Sequence, residues 1–257
     1  MNIELIKMND AENIDLSYSS SRGLGEYEAI ILVGGLGTRL RSVVADLPKC
    51  MAPVAGKPFL FYVIEHLLRQ GVNKFIFSLG YKSDMIIDYV SEQYPTLSKQ
   101  YSVEEEPLGT GGAIRLACNL TTEKNVLIVN GDTLFNIDIE KLMATHQHAN
   151  ADCSLALKPM EDFDRYGVVE LNKDLCIISF KEKQYYESGL INGGIYVLLV
   201  NAFIQEALPQ KFSFEKEYLE AYFDKRKMCG DIQEVYFIDI GIPEDFEKAQ
   251  EELRIKN

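Results

Sequence analysis

Six residues near the start of the chain are the first with types and spacing suited to chemistry: Gly34, Gly35, Gly37, Thr38, Arg39 and Lys49. They follow a short apolar run, Ala29 to Val33, of the kind that forms a strand buried on both faces. Bare glycine backbone lets N–H groups approach a ligand that a Cβ would hold off. Consecutive amides in such a turn make a concavity for anions. Arg39 adds a planar, permanent cation matched to phosphate oxygens, and Lys49, after Pro48, adds another. Two carboxylates complete the set. Asp132 follows Asn130-Gly131 at the tip of an apolar strand, and Asp239 closes Tyr236-Phe237-Ile238-Asp239 just ahead of Gly241. Mg²⁺ keeps several waters and takes few protein ligands, so two carboxylates near a phosphate pocket suit it. The chemistry implied is a grip on a nucleoside triphosphate.

Two common grips are excluded. A P-loop requires Gly, four residues and Gly-Lys-Ser/Thr, which is absent here. A Rossmann fingerprint requires a glycine three residues after Gly37, where Leu40 stands.

The stretch Gly34-Gly35-Leu36-Gly37-Thr38-Arg39-Leu40, followed by Pro48-Lys49, instead resembles the signature of the sugar-1-phosphate nucleotidyltransferases. The resemblance runs from about Ala29 to about Phe246. It implies the nucleotide-diphospho-sugar transferase fold: an α/β, Rossmann-like, mostly parallel sheet with helices on both faces, plus a smaller mixed or antiparallel sugar-binding section. It also implies catalytic roles for Arg39, Lys49 and Asp132, with Asp132 and Asp239 as metal ligands. Glu182 would accept from sugar hydroxyls and Lys183 would meet the sugar phosphate. The proline that usually follows this pair is replaced by Gln184. Asn192-Gly193 and Tyr166-Gly167 match segments whose asparagine and glycine backbones contact the sugar. The partners implied are a nucleoside triphosphate and a sugar 1-phosphate, and the products a nucleotide sugar for surface polysaccharide synthesis and pyrophosphate.

A second match is Glu104-Glu105-Glu106-Pro107-Leu108-Gly109-Thr110-Gly111-Gly112. Its glycine-rich opening of a helix, with Gly109 and Thr110, offers bare backbone to a base or ribose. With Gly131 it belongs to the expected nucleotide contacts. A carboxylate accepting two parallel hydrogen bonds fits the N1–H and N2–H₂ edge of guanine, so Glu105 or Glu106 is expected to read GTP; a solvated acidic turn is the alternative. With the closing Asp239-Ile240-Gly241-Ile242-Pro243-Glu244-Asp245, this segment is most similar to the guanylyltransferases that take D-glycero-α-D-manno-heptose 1-phosphate. Mannose 1-phosphate with GTP comes next, then glucose 1-phosphate with dTTP. A reading from another class is a non-catalytic relative that binds a nucleotide sugar.

These residues must be positioned by a core of adequate size. The chain has 257 residues, 47% hydrophobic and 25% charged, enough for one globular domain or one domain with an appendage. Residues 1–26 read as an extension ending in a serine-rich linker, Ser17 to Gly23, ahead of a catalytic domain at 27–257. Packing on the body, homo-oligomer contacts and mobility are all open to it. A net charge of −13 argues against nucleic acid and anionic membrane as partners. It also opposes a triphosphate, although salt screens charges beyond ~8 Å, so local cations and metal can prevail. No apolar run reaches the ~20 residues of a membrane span, and the N-terminus does not read as a secretory signal. Five widely spaced cysteines without a C-x-x-C pair read as reduced thiols in a cytosolic protein. His146 and His148, two apart on an expected helix, make a poor metal pair, and His66 reads as structural or surface.

Helical spacing from Pro58 to Gly71, a strand at Lys74 to Gly80, a helix at Ser83 to Tyr94 capped by Ser83 or Asp84, and a strand from Asn125 predict alternating β and α units. Beyond Ala149 the pattern turns to strands: Cys153–Leu157, Val168–Leu171, Ile177–Lys183 and Leu190–Leu198. Helices are expected again at Phe214–Arg226 and Glu244–Leu253.

Overall fold

The computed structural model describes residues 26–35, 40 and 46–254. The chain opens with β1 (Tyr27–Leu32) and then forms a 3₁₀ turn at Lys49–Met51 and a small ribbon, β2 (Pro53–Val54) and β3 (Lys57–Pro58). Next come α1 (Phe59–Arg69), β4 (Val72–Leu79), α2 (Ser83–Gln93), β5 (Ser98–Val103), α3 (Gly109–Cys118) and β6 (Asn125–Asn130). The second half holds β7 (Thr133–Phe135), α4 (Ile139–Ala149), β8 (Cys153–Phe163), β9 (Val169–Leu171), β10 (Ile177–Phe180), β11 (Tyr186–Leu199) and α5 (Val200–Ile204). A π-helical segment at Phe214–Glu220, β12 (Met228–Ile232), β13 (Phe237–Asp239) and α6 (Pro243–Glu252) complete it.

Seven strands form the central sheet in the order β12-β8-β11-β6-β1-β4-β5. β1 runs parallel to β4 and β6, β4 parallel to β5, and β12 parallel to β8, while β11 is antiparallel to both its neighbours. The sheet is thus mostly parallel, as expected. The strand-rich section is continuous with it through β11, β8 and β12, and adds a separate β9–β10 hairpin.

Burial on both faces explains the unbroken apolar runs of the inner strands. In β1, Ala29 and Ile31 face one core and Ile30 the other; in β4, Phe75 and Phe77 oppose Ile76. The first core takes Phe59, Leu60, Ile86, Val90, Leu142 and Phe246 from α1, α2, α4 and α6. The second takes Ile114 and Ala117 from α3, Phe203 from α5, and Phe214 and Tyr218 from the π segment. Each Leu, Ile, Val and Phe side chain among these contributes roughly 1.5–3 kcal/mol of transfer free energy.

Local differences from the expected elements have local causes. α2 is preceded by Lys82 in the left-handed region (φ 52°), and neither Ser83 nor Asp84 caps it. β10 stops at Phe180, so Lys181 to Lys183 lie in a loop rather than on a strand. Lys181 N–H donates to Val168 C=O (2.8 Å), outside the β9–β10 ladder, as the chain turns away. The segment from Phe214 is π-helical, with Ser213 capping it through an acceptance from Lys216 N–H.

Candidate active site

The carboxyl ends of β1, β4, β5 and β6 converge on a cavity of about 690 Å³, where parallel α/β sheets place their ligands. Its wall includes Gly34 and Gly35 after β1, Gly80 and Tyr81 after β4, Glu104 to Glu106 after β5, and Gly131 and Asp132 after β6. Lys49, Gly109, Thr110 and Gly241 also line it. Gly37, Thr38 and Arg39 lie outside the described residues, as does the extension up to residue 25.

Asp132 and Asp239 are brought together by a short antiparallel pair that the sequence gives no hint of. β7 follows Asp132 directly and pairs with β13, so that Asp239 stands opposite Thr133. Ile240 N–H donates to Asp132 C=O (3.1 Å) and fixes the register at that end. Gly131 tucks under the tip of β1, its N–H donating to Leu32 C=O (3.0 Å). A Cβ at Gly131 would run into the Val33 side chain, so a larger residue would push Asp132 out of place.

Lys49 completes the group. Its Nζ lies 2.5 Å from Asp132 Oδ2 and 3.4 Å from Asp239 Oδ1. Gly241 N–H donates to the same Asp239 oxygen (2.8 Å). Burial and the Asp132 charge push the Asp239 carboxyl above its usual range, against the pull of Lys49 and the Gly241 amide. Two carboxylates held close by a single lysine are a hard-oxygen donor set of the kind Mg²⁺ prefers. Among the described residues no third His, Cys, Asp or Glu joins them, which suits a cation that retains its waters.

Elsewhere on the cavity wall, the three adjacent glutamates divide their work. Glu104 is spent internally. Its Oε2 accepts from Leu108 N–H (3.0 Å), its own N–H donates to Leu79 C=O (2.9 Å), and its carboxylate packs against the Gly34 and Gly80 backbones. Glu105 and Glu106 remain exposed on the cavity wall. Thr110 is also committed: its hydroxyl donates to Glu215 Oε2 (2.7 Å) and accepts from Phe214 N–H (2.8 Å). Gly111 and Gly112 face the 210–212 backbone and the Phe212 ring rather than the cavity. Their bareness therefore serves helix packing. Glu104 and Glu215 gave no separate signal in sequence, because only tertiary contacts distinguish them from neighbouring glutamates.

The residues matched to sugar binding lie on β11 and in the loops before β9 and after β10. Asn192 closes a bulge in β11: its Oδ1 accepts from Gly194 N–H (3.0 Å) and its Nδ2 donates to Tyr196 Oη (2.9 Å). Gly194 adopts φ 75°, the left-handed value that glycine tolerates. Gly193 lies against the Phe135 ring with no room for a Cβ, which seats the bulge on β7 beside Asp132. Gly167 likewise lies against the Lys181 carbonyl. Glu182 and Lys183 are exposed in the loop after β10, with Tyr186 Oη donating to Glu182 C=O (2.9 Å). Tyr166 packs edge-on against Phe237 (centroids 6.1 Å apart), and burial with the nearby Asp239 charge pushes its phenol up.

The chain is similar to known proteins along nearly all of its described length. The family described as nucleotidyl transferase matches residues 28–255. The chain is 54% identical over 227 residues to the D-glycero-alpha-D-manno-heptose 1-phosphate guanylyltransferase of Aneurinibacillus thermoaerophilus, covering 88% of this chain and 98% of that one. It is 46% identical over 219 residues to the enzyme of the same name from Campylobacter jejuni, covering 85% and 96%. The crystal structure of HddC from Yersinia pseudotuberculosis complexed with GMP-PN superposes with a TM-score of 0.79 at 39% identity, covering 88% of this chain and 99% of that one. With a family match over almost every described residue, and two relatives aligned along nearly their full lengths, the chain belongs to the nucleotidyl transferase family.

Proposed function

We propose that the protein is an enzyme that transfers a guanylyl group from GTP to D-glycero-α-D-manno-heptose 1-phosphate, releasing pyrophosphate. The observation that carries this reading is Lys49 held between Asp132 and Asp239 on the floor of a glycine-walled cavity. The names of the two relatives and the GMP-PN complex of HddC support the choice of sugar and base.

In this reading a phosphate oxygen of the sugar phosphate attacks the α-phosphorus in line. A new P–O bond forms as the bond to pyrophosphate breaks, without a protein nucleophile. Gly34, Gly35 and Gly37 are assigned to offer backbone amides to the phosphates, with Thr38 and Arg39 as further nucleotide contacts. Arg39 and Lys49 offset the charge that builds up in the transition state. Asp132 and Asp239 would hold Mg²⁺, which when bound neutralises charge shared by the two phosphates. Glu105 or Glu106 accepts from the guanine edge, with Gly109, Thr110 and Gly131 shaping the cavity around the nucleotide. Gly167, Glu182, Asn192 and Gly193 take the sugar and Lys183 its phosphate. The catalytic unit is residues 27–257, preceded by an extension.

Incubating the protein with a matrix of triphosphates and sugar phosphates while following pyrophosphate tests this. Release with GTP and the heptose 1-phosphate, well above every other pair, is expected. A preference for dTTP or UTP removes the guanine assignment, and tight nucleotide binding without pyrophosphate release removes the enzyme.

A further inference from the structure

An ion pair outside the cavity joins the loop before β9 to α6. Arg165 lies in the loop between β8 and β9, next to Tyr166 and Gly167, and its Nη1 stands 2.8 Å from Asp245 Oδ2. Asp245 sits in the first turn of α6, a rigid support. Phe246 and Ala249 bury that helix in the first core. Gln250 ties it to the β2–β3 ribbon just after Lys49, accepting from Ala55 N–H (2.8 Å) and donating to Pro53 C=O (2.6 Å). Arg165 is 44% exposed, and its guanidinium lies 5.8 Å from the centre of the Tyr166 ring. That ring packs against Phe237, two residues before Asp239, and Phe237 packs in turn against Phe135 (5.4 Å).

We propose that Arg165 and Asp245 form a strap that positions the Tyr166–Gly167 loop over Asp132 and Asp239, so that the sugar phosphate docks in register with the metal carboxylates. The proposal rests on the assignment of Gly167 to the sugar side. Arg165 is a positioning residue, and neither partner touches the reacting atoms. A half-exposed ion pair of this kind adds little to stability, so its effect appears in geometry, where small misplacements are costly.

The test uses the full chain with GTP, Mg²⁺ and heptose 1-phosphate. Arg165→Ala and Asp245→Asn should raise KM for the sugar phosphate about tenfold and leave KM for GTP within about twofold. Arg165→Lys should recover most of the loss. Arg165→Asp combined with Asp245→Arg should outperform either single charge reversal. Amide hydrogen exchange at residues 164–168 should quicken in Asp245→Asn while β6 stays protected. Equal rises in both KM values, a charge swap no better than its parts, or unaltered exchange in the loop each overturns the strap. Should the wild type release no pyrophosphate, the catalytic reading fails, and the exchange measurement still decides the strap.

Discussion

Lys49 Nζ lies 2.5 Å from Asp132 Oδ2, across 83 residues of sequence. In the proposed function a divalent cation would share the carboxylate pair with this lysine. One side chain bridges both carboxylates, and in the proposed function the same cation faces the phosphates. Lys49→Ala should lower turnover ~10²–10³-fold, the scale of other charge-stabilising donors. It should also leave the two carboxylates facing each other, so Mg²⁺ should raise the melting temperature more in Lys49→Ala than in the wild type. Thermal melts across a magnesium titration check this; equal shifts would separate the lysine from the metal site.

Arg39→Ala should reduce turnover on the same scale, since this cation acts mainly on the transition state. Steady-state kinetics with GTP and heptose 1-phosphate measure it. Near-normal turnover would remove Arg39 from the machinery.

Gly193 lies against the fully buried Phe135 ring, with Ala156 C=O 3.0 Å from where a Cβ would stand. Gly193→Ala should therefore cost roughly 1–3 kcal/mol, the price of overpacking. Because Phe135 belongs to the strand that follows Asp132, activity should fall further than stability alone explains. Urea unfolding and kinetics on the same preparation separate the two.

Buried His66 and His146 give the fold a sensitivity to acid. Burial lowers both imidazoles to about 4 from an ordinary 6.5. His146 bonds Ser154 Oγ (3.0 Å) and Asn125 Oδ1 (3.3 Å), while His66 Nε2 has no partner among the described residues. A folded-state value below the unfolded one means that the unfolded chain takes up protons first. The neutral rings thus favour folding fully above about pH 6.5, and that contribution is lost as pH falls toward 4. One such histidine should cost on the order of 2 kcal/mol by pH 5. His66→Leu, which also removes the unpartnered nitrogen, should flatten the fall in urea midpoint between pH 7 and 5; an unchanged slope would contradict the assignment.

How much of this was legible in sequence depended on whether the cause was local. The β1 run and the α1 spacing announce a strand and a helix because burial is periodic along the chain. The Asp132 and Asp239 motifs are visible singly, but their meeting rests on the three-residue β7–β13 pair, which no local pattern specifies. Glu104, Glu105 and Glu106 look alike until Leu108 N–H and the Gly80 backbone claim the first of them. The Glu182–Lys183 pair was expected on a strand, but β10 ends at Phe180 and the pair stands in the loop beyond it. The strap between Arg165 and Asp245 joins a loop to a helix far along the chain, and only the folded structure brings them together.

The reacting nucleotide is assigned to the glycine-walled cavity lined by Lys49 and Asp132, with Asp239 next to it through Lys49. A crystal structure with GTP and Mg²⁺ tests this assignment most directly. The triphosphate is expected against Gly34 and Gly35, the metal on the two aspartates, and the guanine edge within hydrogen-bond reach of Glu105 or Glu106. A nucleotide bound elsewhere, with the metal away from Asp132 and Asp239, would contradict it.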